Sequence, residues 1–127
     1  MKSTLFAHIL IMIILVGCGL TQNNDGVKLF IPGTYIRFST HEFGTEYDTL
    51  IIVPLNPSAG YYSIIRRWKY LRVVDDKKME PEYKIRTTAA IYDSKRHLLQ
   101  ETNTGKIYSI DVTGNCLFSG SIKYRKL

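Results

Sequence analysis

Tyr61-Tyr62-Ser63-Ile64-Ile65-Arg66-Arg67-Trp68-Lys69-Tyr70-Leu71-Arg72-Val73-Val74 is the stretch on which the fold turns. Its apolar residues Tyr61, Ile64, Ile65, Trp68 and Leu71 fit a helical stripe, so periodicity alone leaves helix and strand open. Two features favour the strand. The segment is rich in aromatic and β-branched residues, which suit a pleated surface, and no N-cap followed by an acidic first turn precedes it. As a strand it places Ile64, Arg66, Trp68 and Tyr70 on one face and Ile65, Arg67, Lys69 and Leu71 on the other. Neither face is cleanly apolar, which puts Arg66 or Arg67 at the edge of a barrel or against an aromatic ring.

The flanking sequence reads the same way. Thr34–Phe38, Thr49–Val53, Tyr83–Tyr92, His97–Thr102, Lys106–Val112, Cys116–Ser119 and Ser121–Arg125 are further strand candidates. A charged connection, Asp75–Pro81, follows the long central segment, and Pro54, Pro57 and Gly60 bound the short apolar run before it. Asp93-Ser94-Lys95, Asn103-Thr104-Gly105 and Thr113-Gly114-Asn115 carry turn chemistry. Short turns between successive strands imply antiparallel neighbours, hence a meander. About eight short strands in some 95 residues must hide their edges, so the expected fold is all-β, an antiparallel meander forming a small barrel or half-barrel.

The N-terminus has a different character. Met1-Lys2-Ser3-Thr4 carries one positive charge, and an apolar run, broken by His8, extends from Leu5 to Val16. As a helix this run reaches roughly 18 Å, short of a hydrocarbon core of about 30 Å, which favours a secretory signal helix over a membrane span. Leu15-Val16-Gly17-Cys18 then resembles the bacterial lipobox: an aliphatic residue, a β-branched one, a small one, and Cys. The resemblance implies cleavage between Gly17 and Cys18 and diacylglyceryl attachment to the Cys18 sulfur, with the freed amino group acylated as well. The plainer alternative is an ordinary signal peptide or anchor with a chance cysteine. The expected organisation is therefore a cleaved signal peptide (1–17), a lipidated cysteine and flexible tether (18–29), and a β-barrel-like domain (30–127). Gly19 after Cys18 lacks the Asp associated in some bacteria with inner-membrane retention, so the outer membrane is the expected location.

Removing residues 1–17 leaves 110 residues, enough for one domain, with 16 basic against 11 acidic residues, a formal +5. Beside a membrane such a charge points to acidic protein surfaces or anionic headgroups and away from nucleic acid, unless it is simply a solvated surface. Lipidation consumes Cys18 and leaves Cys116 alone, so no internal disulfide is expected. In Asn115-Cys116-Leu117-Phe118 the cysteine reads as a small buried apolar residue, with no activating neighbour in sequence.

Pro32-Gly33-Thr34-Tyr35 and the meander are similar to the small lipocalin-like domains of bacterial lipoproteins, whose first strand often begins Gly-Thr-aromatic. The series Gly33-Thr34-Tyr35, His41-Glu42-Phe43-Gly44, Arg66-Arg67-Trp68-Lys69-Tyr70, Glu82-Tyr83-Lys84 and Lys123-Tyr124 also resembles a group of uncharacterised small lipoproteins, some carried on conjugative mobile elements. That resemblance implies an envelope role and brings no catalytic residues with it.

Sites of chemistry are sparse. His41, Glu42, Glu46 and Asp48 are the densest cluster of potential metal ligands, but residue 45 is Thr where a second His would be needed, and His97 lies far along the chain. A polar turn with ordinary surface carboxylates is the expected outcome, with no metal and no cofactor. Ser58-Ala59-Gly60 and Ser119-Gly120-Ser121 read as turns and lack the Gly-x-Ser-x-Gly elbow, so no enzyme is expected. Arg66-Arg67-Trp68-Lys69-Tyr70 is the distinctive stretch: Trp, Tyr and Arg are the residues enriched at interface hot spots. Its plainer reading is a central strand with Trp68 in the core and its arginines paired outside. The expected function is a lipid-anchored, non-enzymatic protein-binding or structural module, in a transfer or secretion apparatus. The alternative is a lipocalin-like carrier of a small apolar ligand, which needs an open interior where the short strands suggest a filled one.

Overall fold

A computed structural model describes residues 26–127. The expected signal peptide, Cys18 and residues 19–25 lie outside the described residues. The chain runs α1 (Gly26–Phe30), β1 (Gly33–His41), β2 (Gly44–Asn56), β3 (Tyr61–Val74), β4 (Lys77–Lys78), β5 (Glu82–Asp93), β6 (Leu98–Glu101), β7 (Ile107–Asp111), β8 (Cys116–Ser119) and β9 (Ile122–Lys126). Segment 61–74 is a strand along its whole length. Each of its neighbours runs antiparallel to it, and β9 returns to β1, closing an eight-stranded up-and-down barrel with β4 as an added ribbon on β3. The all-β meander expected from the sequence is the observed architecture.

The seam that closes the cylinder is short: Tyr35 faces Lys126 and Ile36 faces Arg125. The Lys126 ammonium reaches back over the Phe30 ring, 4.1 Å from its centroid, and donates to the Phe30 carbonyl. Gly33, at φ 148°, lets the Lys126 stem cross, since a Cβ there would lie 2.8 Å from Lys126 Cε. Inside, alternate residues of the eight barrel strands meet: Tyr35, Leu50, Ile52, Tyr62, Ile64, Ala90, Leu99, Tyr108, Leu117 and Tyr124 are each no more than 2% exposed. Burying a large aromatic or aliphatic side chain contributes about 1.5–3 kcal/mol, so this cluster is the main source of the domain's stability.

The tether expected to run through residue 29 ends earlier. Gly26–Phe30 form one helical turn, and Val27, Phe30 and fully buried Ile31 pack on the core cluster. The Tyr35 hydroxyl donates to the Ile31 carbonyl at 2.8 Å, so this turn plugs one mouth of the barrel. Val27 and Leu29 fall within the segment expected as tether because five residues are too few for a periodic signal.

The strands are also unequal. β2, β3 and β5 have 13, 14 and 12 residues, whereas β6 and β8 have four each. Register explains where the excess goes. β9 pairs with β1 only at Tyr35 and Ile36, and β6 pairs with β5 only from Ala90 onward. Residues 37–41, 44–48, 67–74 and 82–86 therefore continue past the barrel as a four-stranded sheet, here called the wing, rising from the mouth opposite α1. Pro54, read from sequence as a strand boundary, lies within β2. Beyond Ile52 β1 offers no partner, and the ladder to β3 shifts register between Pro54 and Asn56, so a residue without an N–H is tolerated there. In the charged connection, Asp75 and Asp76 both have positive φ, the type I′ geometry of a two-residue hairpin, and pair β4 with β3.

Candidate functional site

The wing and the mouth beneath it hold most of the residues singled out by sequence, and alternation divides them. Arg66, Trp68 and Tyr70 continue the inward face of β3, following Tyr62 and Ile64, while Arg67 and Lys69 point to the opposite face. The five are contiguous in sequence but serve two surfaces.

On the inward side the apolar core gives way to charge. Asp48, 1% exposed, accepts from Arg66 Nε at 3.0 Å and Nη2 at 2.7 Å, and from the Tyr124 hydroxyl at 2.9 Å. Glu101, also 1% exposed, accepts from Arg86 Nη2 at 3.3 Å, the Tyr108 hydroxyl at 3.0 Å and Thr104 Oγ1 at 2.5 Å. A buried charge is tolerable only when paired and hydrogen-bonded, and both carboxylates meet that condition. The Asp48 hydrogen bond raises the Arg66 pKa further. Burial, then the neighbouring carboxylates, pushes the Tyr108 and Tyr124 phenols up, so both remain donors.

Two expectations are corrected here. Asp48, read as a surface carboxylate of a polar turn with His41, Glu42 and Glu46, is a buried anchor. Only its place opposite Trp68 and diagonal to Arg66 reveals this, and that depends on register. Trp68 is not in the core and the arginine pairing is not outside. Trp68 is half-buried on the wing, stacked on Tyr70 with ring centroids 5.5 Å apart, and Arg66 pairs inward. Among the described residues no group of three or more His, Cys, Asp or Glu side chains is placed to hold a metal.

One step above the two carboxylates lies a cleft of about 330 Å³ lined by Arg66, Trp68, Lys84 and Arg86. Arg66 faces Arg86 across the β3–β5 ladder, and Trp68 faces Lys84. The Lys84 ammonium lies 5.2 Å from the indole centroid. Lys106 stands nearby with its pKa lowered, first by burial and then by Arg66. Sequence reasoning passed over Lys84 and Arg86. The signal available was their two-residue spacing from Thr88 and Ala90, which carries the inward face of β5 out of the core.

The outward face of the wing is a cross-strand row, Phe38–Tyr47–Lys69–Tyr83. Phe38 and Tyr47 rings are 5.0 Å apart, and the Lys69 ammonium sits 5.7 Å from Tyr47 and 5.6 Å from Tyr83. Phe38, Tyr83 and Ile85 are 61%, 68% and 72% exposed, far above the barrel interior. The hairpin that begins the wing depends on Gly44: at φ 154° a Cβ there would fall 2.3 Å from the Leu71 carbonyl oxygen. Tyr70 fastens the same turn by donating to the Phe43 carbonyl.

The remaining sequence candidates are structural. Ser58 Oγ donates to the Asn56 side chain beside a 3-10 turn, and Gly120 holds positive φ in the β8–β9 hairpin. His97 adopts positive φ in the β5–β6 turn, away from His41. Cys116 is 1% exposed, its thiol donates to Asp111 at 3.8 Å, and burial and that carboxylate push its pKa up, the opposite of an activated nucleophile. The chain matches no protein-family model, no curated protein and no solved structure.

Proposed function

We propose that this chain is a lipid-anchored, non-enzymatic binding module of the cell envelope, docking an acidic segment of an envelope protein on the outward face of the wing. The observation that carries this is the exposed Phe38–Tyr47–Lys69–Tyr83 row beside Arg67 and Ile85, on a sheet whose lateral edges at 37–41 and 82–88 have no strand partner among the described residues. Aromatic rings interleaved with cations suit an acidic partner, and an open edge can take an added strand. The anchor reading rests on Leu15-Val16-Gly17-Cys18. On that reading the anchored segment leads into α1, and the wing, at the other mouth, projects away from the bilayer. A role in a transfer or secretion apparatus and an outer-membrane location belong to the same reading. The apolar carrier finds less support: the barrel interior is filled by tyrosine, leucine and isoleucine, and the cleft at its mouth is cationic.

A photo-crosslinking residue at Tyr83 in intact cells should trap one acidic envelope protein, whereas one at exposed Ser109 on β7 should not; identical adducts from both positions would remove the docking face. Cys18→Ala should leave unlipidated, uncleaved precursor. Normal maturation of that variant would sink the anchor.

A further inference from the structure

The inward cleft has an unusual balance. Its two nearest carboxylates are already committed, Asp48 to Arg66 and Tyr124, and Glu101 to Arg86, Tyr108 and Thr104. Three cations nevertheless line it, with Arg66 and Arg86 directly opposite one another and Lys84 in the next row. Like charges facing across a ladder repel, so this arrangement is one that an incoming anion relieves. Among the described residues Arg66 spends Nε and Nη2 on Asp48, leaving Nη1 without an acceptor, and Arg86 spends only Nη2, on Glu101. Lys84 makes no ion pair among the described residues and rests over the indole. Arg66 and Arg86 side chains are 29% and 46% exposed, so the cleft opens to solvent.

We propose that this cleft binds a flat organic oxyanion, a phosphate monoester or carboxylate joined to a planar ring. The oxyanion sits between Lys84, Arg86 and the free edge of Arg66, where guanidinium and ammonium donors form charge-assisted hydrogen bonds. The ring stacks on Trp68 where Lys84 now lies, and Lys84 exchanges the indole face for the anion. A cleft of about 330 Å³ admits one such ring with its charged group. This site is on the opposite face of the wing from the docking row, so each can fail without the other.

Trp68 is the single tryptophan of the chain, so its fluorescence reports this cleft alone. The full chain is titrated at fixed ionic strength with phenyl phosphate, benzoate, inorganic phosphate and phenol. Phenyl phosphate should give a saturable change, inorganic phosphate should bind at least tenfold more weakly, and phenol should not saturate. Saturation by benzoate as well assigns the site to oxyanions in general; its failure assigns it to phosphate monoesters. Lys84→Glu should weaken phenyl phosphate tenfold or more with an unchanged thermal midpoint, because Lys84 is exposed. A linear response to all four compounds, or unaltered affinity in Lys84→Glu, overturns the proposal.

Discussion

The two ends of β3 place the same residue types in opposite circumstances. Toward Tyr61 one face of the strand is closed inside the barrel, and its inward residues Tyr62 and Ile64 are 1% exposed. Toward Val74 it is the middle of a sheet with solvent on both faces, and its arginine there, Arg72, meets Glu82 at 4.0 Å with both side chains half exposed. Arg66 stands at the boundary and meets Asp48 at 2.7 Å with that carboxylate fully covered. An ion pair is nearly neutral when water can replace it, and becomes structural when one partner has no access to water. The barrel thus gives stability, and the wing gives surface at little cost to stability.

The contrast is broken most directly at its boundary. Asp48→Ala should destabilise by about 3–5 kcal/mol, because Arg66 and Tyr124 lose their shared acceptor, whereas Glu82→Ala should change stability by under about 0.5 kcal/mol. Urea unfolding of both variants checks this; equal losses would erase the distinction. Alkali tests the barrel alone. Tyr35, Tyr108 and Tyr124 have phenol pKa values raised by burial, so the unfolded chain releases those protons near pH 10 while the folded chain holds them. The buried Cys116 thiol, also raised above its ordinary 9.0, begins the decline first, and above pH 10 each phenol adds up to about 1.4 kcal/mol per pH unit. Lys106 and Lys126, lowered by burial, act with the opposite sign up to their ordinary 10.5, so the fall should steepen beyond that value in unfolding curves taken across pH 9 to 11.5.

Gly44→Ala probes the wing's own attachment and should cost on the order of 2 kcal/mol, through strain at φ 154° and the approach to Leu71. Amide exchange should accelerate at 44–48 and 67–74 and stay slow in β7 to β9; uniform acceleration would mean the wing and barrel unfold as one. The smallest effect belongs to Tyr83→Ser with Ile85→Ser, which should shift stability by less than about 0.5 kcal/mol while abolishing the Lys69-flanked partner contact in a pull-down.

Much of this was legible in the sequence, for a definite reason. Alternation along 61–74 puts Arg66, Trp68 and Tyr70 on one face, as the ladder does, and turn residues such as Asn115 and Gly105 mark the hairpins. Strand ends were underestimated where the wing begins, because Thr45, Glu46 and Tyr47 face solvent on a two-sided sheet and leave no apolar pattern to extend. The pairing of Asp48 with Arg66 was invisible: nothing local marks two residues 18 apart as partners until the ladder between β2 and β3 is known.

The seam between β1 and β9 carries a consequence for how the molecule is made. Tyr35 and Lys126 come from opposite ends of the domain, and drawing such distant points together costs about 4 kcal/mol of chain entropy. Hairpins from β1 to β5 need only local contacts and can assemble as soon as they emerge, but the cylinder stays an open trough until its last five-residue strand arrives. The final residues are therefore the latch of the fold, and until they arrive the tyrosine-lined interior is exposed along one whole side.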